Sequence, residues 1–239
     1  MKTINIRYLF RLPDRRQEII DVCLDGQSLD LLNEVSSNLP YWTALDFRQC
    51  PNCLLPIENH PYCPIAAHMV KLLRIFEELL SFDTIDVEIV TPKRTISGES
   101  SAQKGVSSLM GLIMATGGCP HMDFFKPMAR FHLPLSNAEE TVYRATSTYL
   151  LAQYFLQKEG EKADMELQGL KRIYSNIRII NESMAERLRV IGEKDVALNS
   201  LIILDMFAQT LPFAIEDSLE EIRHLFVPYF NRLEKHLRD

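Results

Sequence analysis

Apolar and polar residues alternate from Thr3 to Arg11, with Ile4, Ile6, Tyr8 and Phe10 on one face. They alternate again over residues 17–24, where Ile20, Val22 and Leu24 oppose Ile19, Asp21 and Cys23. A period of two marks a half-buried strand. Pro13-Asp14-Arg15 lies between the two runs, so the pair predicts a β-hairpin. Asp86–Val90 alternates as well, and Arg94–Ser97 returns after Pro92-Lys93, which predicts two more strands. Residues 28–35 predict a short helix, and Thr43–Arg48 a short strand that would deliver Cys50 to the sheet edge. Pro64 opens a helix to Phe82, with Val70, Leu73, Phe76 and Leu80 on its apolar face. Residues 101–115 predict a further helix, stopped by Thr116-Gly117-Gly118, and a short helical piece runs on to about Arg130.

Beyond residue 135 the pattern turns wholly helical. Ser136 and Glu139 have the spacing of a capping box, in which each side chain satisfies the other's backbone N–H. Helices are expected at about 137–159, 163–191, 194–211 and 216–237, broken at Gly160, Gly192 and Pro212, with Pro228 kinking the last. Apolar stripes run through them, for example Leu167, Leu170, Tyr174, Ile177 and Ile180. Short breaks between long helices make antiparallel neighbours. The expected fold is α+β: an antiparallel sheet with helices over residues 1–135, and a helical bundle over residues 136–239 packed on it. No flexible linker marks the junction, because residues 126–134 are dense in prolines and bulky side chains.

The chain has 239 residues, enough for one large domain or two small ones sharing a core. Its net charge of −6 argues against a dedicated nucleic-acid binder, which needs a basic footprint. The N-terminus resembles neither a signal nor a transit peptide, and no apolar run is long enough to cross a bilayer. A cytoplasmic location is therefore expected, with no membrane association. In a reducing compartment five cysteines are thiols or metal ligands sooner than disulfides.

Three of those cysteines fall between Arg48 and His68. Cys50 and Cys53 form a C-x-x-C pair, and His60 and Cys63 follow with two residues between them. Two short-spaced pairs on one loop suit tetrahedral zinc. Pro51, Pro56, Pro61 and Pro64 would stiffen that loop. Cys119, in Gly-Gly-Cys-Pro-His, resembles Cys63 in preceding a proline and opening a helix. The preferred ligand set is Cys50, Cys53, Cys63 and Cys119, with His60 as the alternative fourth ligand. Zinc is preferred to an iron–sulfur cluster, because the cysteines lack the tight triple spacing of bacterial ferredoxins. Cys119 has a rival reading as a nucleophile activated at a helix N-terminus.

Other candidates are weaker. His68 and His132 read as core or surface histidines, and His224 and His236 as helix-face residues. Glu221 and His224 form a lone E-x-x-H, where a carboxylate-bridged di-metal site needs two. Lys126, Arg130 and Arg144 could make a small basic spot for an anion, although solvated faces are the simpler reading. A leftover stripe on the C-terminal helices could bury itself in a second copy, so a homodimer stays open.

The segments Phe10-Arg11-Leu12-Pro13-Asp14, Gln49-Cys50-Pro51-Asn52-Cys53, His60-Pro61-Tyr62-Cys63-Pro64, Gly118-Cys119-Pro120 and Met128-Ala129-Arg130-Phe131-His132-Leu133-Pro134 together resemble an uncharacterised family of bacterial proteins of this length. The resemblance spans roughly residues 6–155. It implies a bacterial cytoplasmic protein and no activity, cofactor or site. The functional expectation is a non-enzymatic protein with a structural zinc site, acting through contacts with a protein partner. The alternatives are an iron–sulfur redox or sensor protein and a Cys119-dependent enzyme.

Overall fold

The structure is a computed structural model that describes residues 3–192 and 195–236. The expected helix limits at 194 and 237, and the side chain of His236, lie outside what is described. Strands β1 (Thr3–Arg11), β2 (Gln17–Asp25), β3 (Thr84–Val90) and β4 (Thr95–Ser101) form one antiparallel sheet in the order β2-β1-β3-β4. The alternation sets the register: Tyr8 pairs with Ile20 on one side and Ile89 on the other, all three buried. The opposite face is wet and carries cross-strand ion pairs, Arg7 to Asp21 and Arg11 to Glu88.

Two helices cover the buried face. In α1 (Pro64–Ile75), proline occupies the first turn, where its missing N–H costs nothing. In α2 (Ala102–Thr116), Gly105 lets the helix lie close on β3: a Cβ there would sit 3.0 Å from both Ile85 Cδ1 and Val87 Cγ2. Phe76 meets Phe10 edge-on at 4.9 Å between ring centroids. The expected extension of α1 to Phe82 does not form. A turn closes instead, in which the Asp83 carboxylate accepts the Leu80 N–H.

A 3-10 turn (Pro120–Phe125) and the short α3 (Lys126–Arg130) lead to four further helices: α4 (Ala138–Lys158), α5 (Gln168–Val190), α6 (Asp195–Ile222) and α7 (Val227–His236). The capping box exists one residue later than expected: Asn137 caps the Glu140 N–H and Glu140 returns to the Asn137 N–H. Helix α6 runs through Pro212, where a break was expected, and the chain turns at a 3-10 segment over Arg223–Phe226. Pro228 consequently sits in the first turn of α7 and produces no kink. One buried cluster runs from the sheet through α1 and α2 into α4, α5 and α6.

Residues 28–35 do not form the expected helix. Leu31 makes a lone bridge to Leu24, and Asn33 accepts the Cys23 N–H and donates to the Asp21 carbonyl. The expected strand at Thr43–Arg48 is absent too. The segment is a 3-10 turn (Tyr41–Thr43) followed by irregular chain, with one bridge from Ala44 to Tyr62. No helix among the described residues is long and apolar enough to cross a membrane.

Candidate functional site

The loop from Tyr41 to Cys63 folds back on itself. The Cys63 N–H reaches the Thr43 carbonyl at 2.8 Å, and the Leu45 N–H reaches Pro61 at 3.0 Å. Pro51-Asn52 forms a tight turn closed by the Cys53 N–H on the Cys50 carbonyl. Cys63 stands immediately before α1, and Cys119 immediately before the 3-10 turn that follows α2. Gly117 ends α2, and a Cβ there would lie 2.8 Å from the Ile113 carbonyl oxygen of the last turn. Cys50, Cys53, Cys63 and Cys119 all line one small cavity of about 20 Å³, together with His121 and Arg187. His60 is exposed and takes no part in that cavity.

Sharing a cavity does not make these residues a metal site. Among the described residues, no group of three or more His, Cys, Asp or Glu side chains could hold a metal ion. The structural zinc expected from the spacing is thus not formed. The reading of the chain as a zinc-tied protein acting through contacts is overturned, and its iron–sulfur alternative meets the same finding. Cys53 Sγ lies 4.0 Å from the Leu55 carbonyl, and Cys119 makes no side-chain hydrogen bond to the turn that it opens. All five cysteines are free. Burial pushes the Cys119 thiol up to about 12 and raises Cys50 as well, the opposite of nucleophile activation. The His121 ring donates to the Asn52 carbonyl at 2.6 Å.

The tie expected of a metal is supplied by Arg187 on α5, which is 1% exposed. Its Nη1 donates to the carbonyls of Trp42 and Ala44 at 2.7 and 2.8 Å, and its Nη2 to Leu45 at 3.1 Å. Its Nε is buried without a partner.

A second and much larger cavity, of about 460 Å³, lies between α2 and the helices packed over it. Its wall is mostly apolar: Met114, Met122, Met128, Phe125, Ile177 and Leu204 contribute. Among the described lining residues Lys104 and Arg144 are basic and none is acidic, in a chain whose net charge is −6. Arg144 Nη2 donates to the carbonyls of Met128 and Phe131, and Nε and Nη1 have no hydrogen-bond partner among the described residues. Lys126 is held by Asp30 and Asp123, and Arg130 lies over the Phe131 ring, so of the three residues in the expected basic spot only Arg144 faces this cavity.

His132 lines the same wall. Its Nε2 meets the Tyr8 hydroxyl, which also touches Ser108 Oγ at 3.1 Å. The Leu135 N–H donates to that serine at 3.3 Å. Burial, helped by the Arg144 charge, lowers the His132 pKa to about 3, so the ring is neutral near pH 7. Burial raises the Tyr8 pKa and keeps its proton on. In the tautomer where tyrosine donates to Nε2, the imidazole proton lies on Nδ1. On α5, Tyr174, Ile177 and Asn181 share a face at helical spacing and line the cavity. Asn181 is 1% exposed, and both its amide nitrogen and its oxygen lack a partner.

A family model described as a domain of unknown function, DUF6901, matches residues 6–227. The chain belongs to the DUF6901 family. The match includes the later helices, in which the sequence shows no motif. No curated protein and no solved structure matches this DUF6901 chain.

Two residues of this DUF6901 chain are invisible to motif reading, Arg187 and Asn181. Each does leave a trace. Asn181 and Arg187 follow the α5 stripe of Tyr174, Ile177 and Ile180 at helical spacing, so both place polar groups on a face that packs inward. A polar residue on a buried stripe needs a partner, and that need is the signal.

Proposed function

We propose that the chain binds a small, largely apolar molecule in the cavity between α2 and α4–α6. Cavities of about 300–1,000 Å³ with apolar walls and a few polar anchors are the usual form of such sites. The single observation that carries the reading is the cavity itself, about 460 Å³ with a mostly apolar wall and with Lys104 and Arg144 as the basic groups among its described lining. The three lining methionines are unbranched and adjust to an occupant. A cytoplasmic setting belongs to this reading, because five free thiols persist in a reducing compartment.

The test is a titration with N-phenyl-1-naphthylamine, a neutral apolar dye that brightens out of water. One saturable site per chain is expected. Gly111 lines the cavity, and a Cβ there comes no nearer than 3.4 Å to a neighbour, Leu204 Cδ2, so Gly111→Phe should fill the space while helix content is retained. Binding that is lost in this variant supports the reading. No saturable binding, or binding unchanged in folded Gly111→Phe, overturns it.

A further inference from the structure

We infer that the molecule this cavity takes is a monocarboxylic acid with an apolar body. The inference rests on the binding reading above and adds the chemistry of the ligand's polar end.

The apolar walls call for hydrocarbon, and the polar groups are biased toward donors. Arg144 Nε and Nη1 have no hydrogen-bond partner and no ion pair among the described residues. Arg144 reaches the carbonyl of Phe131, the residue before His132, and both Arg144 and His132 line the cavity with Tyr174. The Tyr174 hydroxyl makes no hydrogen bond among the described residues, and burial keeps it protonated. His132 offers Nδ1–H in the tautomer where Nε2 accepts from Tyr8. A guanidinium beside a phenol and a neutral imidazole is therefore a group of donors around one charge, and no acid is among the described lining residues. Burial lowers the Arg144 pKa, against the raising influence of Tyr174 and of Glu140 one turn earlier on α4.

A carboxylate fits this group of donors. It carries one charge against the one inner cation, since Lys104 is exposed, and its acceptor oxygens match charge-assisted N–H donors. A phosphate monoester brings nearly two charges, and the group offers one. A neutral alcohol would leave the guanidinium uncompensated.

The experiment is competition against bound N-phenyl-1-naphthylamine at pH 7.5 with decanoate, 1-decanol and decyl phosphate. Decanoate should displace the dye at concentrations at least 10-fold below either of the others. In Arg144→Met that advantage should fall to near unity. Arg144 also holds two carbonyls, so Tyr174→Phe serves as a second variant and should reduce the decanoate-to-decanol ratio several-fold. If the dye binds and 1-decanol or decyl phosphate competes as well as decanoate, the carboxylate inference fails and the binding reading stands. If the ratio is unchanged in both variants, the assigned group of donors is wrong. If the dye does not bind at all, the binding reading itself has failed.

Discussion

Arg187→Met removes the guanidinium while keeping most of its stem volume, and it isolates what ties the cysteine loop to the helices. Three bonds are lost, to the carbonyls of Trp42, Ala44 and Leu45. The bonds to Trp42 and Leu45 are buried, and stranding such an acceptor costs about 1–3 kcal/mol each. The Ala44 bond is only part-buried, so water can replace it. Against this stands the relief of a buried charge: burial lowers the Arg187 pKa, and its Nε has no partner. The balance is a loss of about 2–4 kcal/mol, or a fall in Tm of roughly 5–12 °C for a chain of this size. Trp42 is the sole tryptophan and is 6% exposed, so its emission reports this loop directly. Thermal unfolding followed by circular dichroism gives the Tm, and the Trp42 emission maximum should shift to the red. Because Arg187 and not a metal makes the tie, a chelator should leave both readings of the unsubstituted protein unchanged. An unaltered Tm and emission maximum in Arg187→Met would refute the assignment, and a Tm that falls on chelation would restore a role for metal.

Two further outcomes follow from buried groups. His132 has a folded pKa of about 3 against an ordinary value near 6.5, so between these values the unfolded chain binds more protons. Stability is then complete above about pH 6.5 and falls by about 1.4 kcal/mol for each pH unit below it. Burial lowers His68 in the same direction. Urea midpoints from pH 7.5 to 4.5 should decline less steeply in His132→Gln, and equal slopes would count against the neutral buried ring. At the start of α5, a Cβ on Gly169 would lie 1.9 Å from the Tyr149 hydroxyl, and Asp164 binds both that hydroxyl and the Gly169 N–H. Gly169→Ala should cost about 1–3 kcal/mol by displacing Tyr149. The cost should shrink in a Tyr149→Phe background, and a thermal melt showing no loss in Gly169→Ala would sink the argument.

The sheet was legible because one of its faces is wet. Ile4, Ile6, Tyr8 and Phe10 alternate with residues that meet solvent, and the period alone fixes which side packs on α1 and α2. The cysteine loop was legible in part for a similar reason, since short spacings report local geometry. They brought Cys50, Cys53 and Cys63 together, and the matching context of Cys119 placed it in the same cavity. What spacing cannot report is which distant side chains close the cavity around the thiols. Ile180, Met184 and Arg187 of α5 do so, more than 120 residues from Cys50. The misplaced elements share this cause. Residues 28–35 are held by Asn33 against the β2 backbone, and residues 42–45 by Arg187, so contacts distant in sequence override local preference.

The large cavity had no local signature at all, because its wall is assembled from α2, α3, α4, α5 and α6. The two polar residues on the inward face of α5 behave differently. Arg187 answers its burial with three carbonyls of its own chain, so its place on the stripe is accounted for by folding. Asn181 lies on the same stripe, is equally buried, and answers to nothing in the chain. Folding alone would favour leucine there, since exchanging an unsatisfied amide for hydrocarbon relieves a desolvation cost. Asn181→Leu is therefore expected to raise the Tm, and a fall in a thermal melt would show that the amide finds a partner in solution.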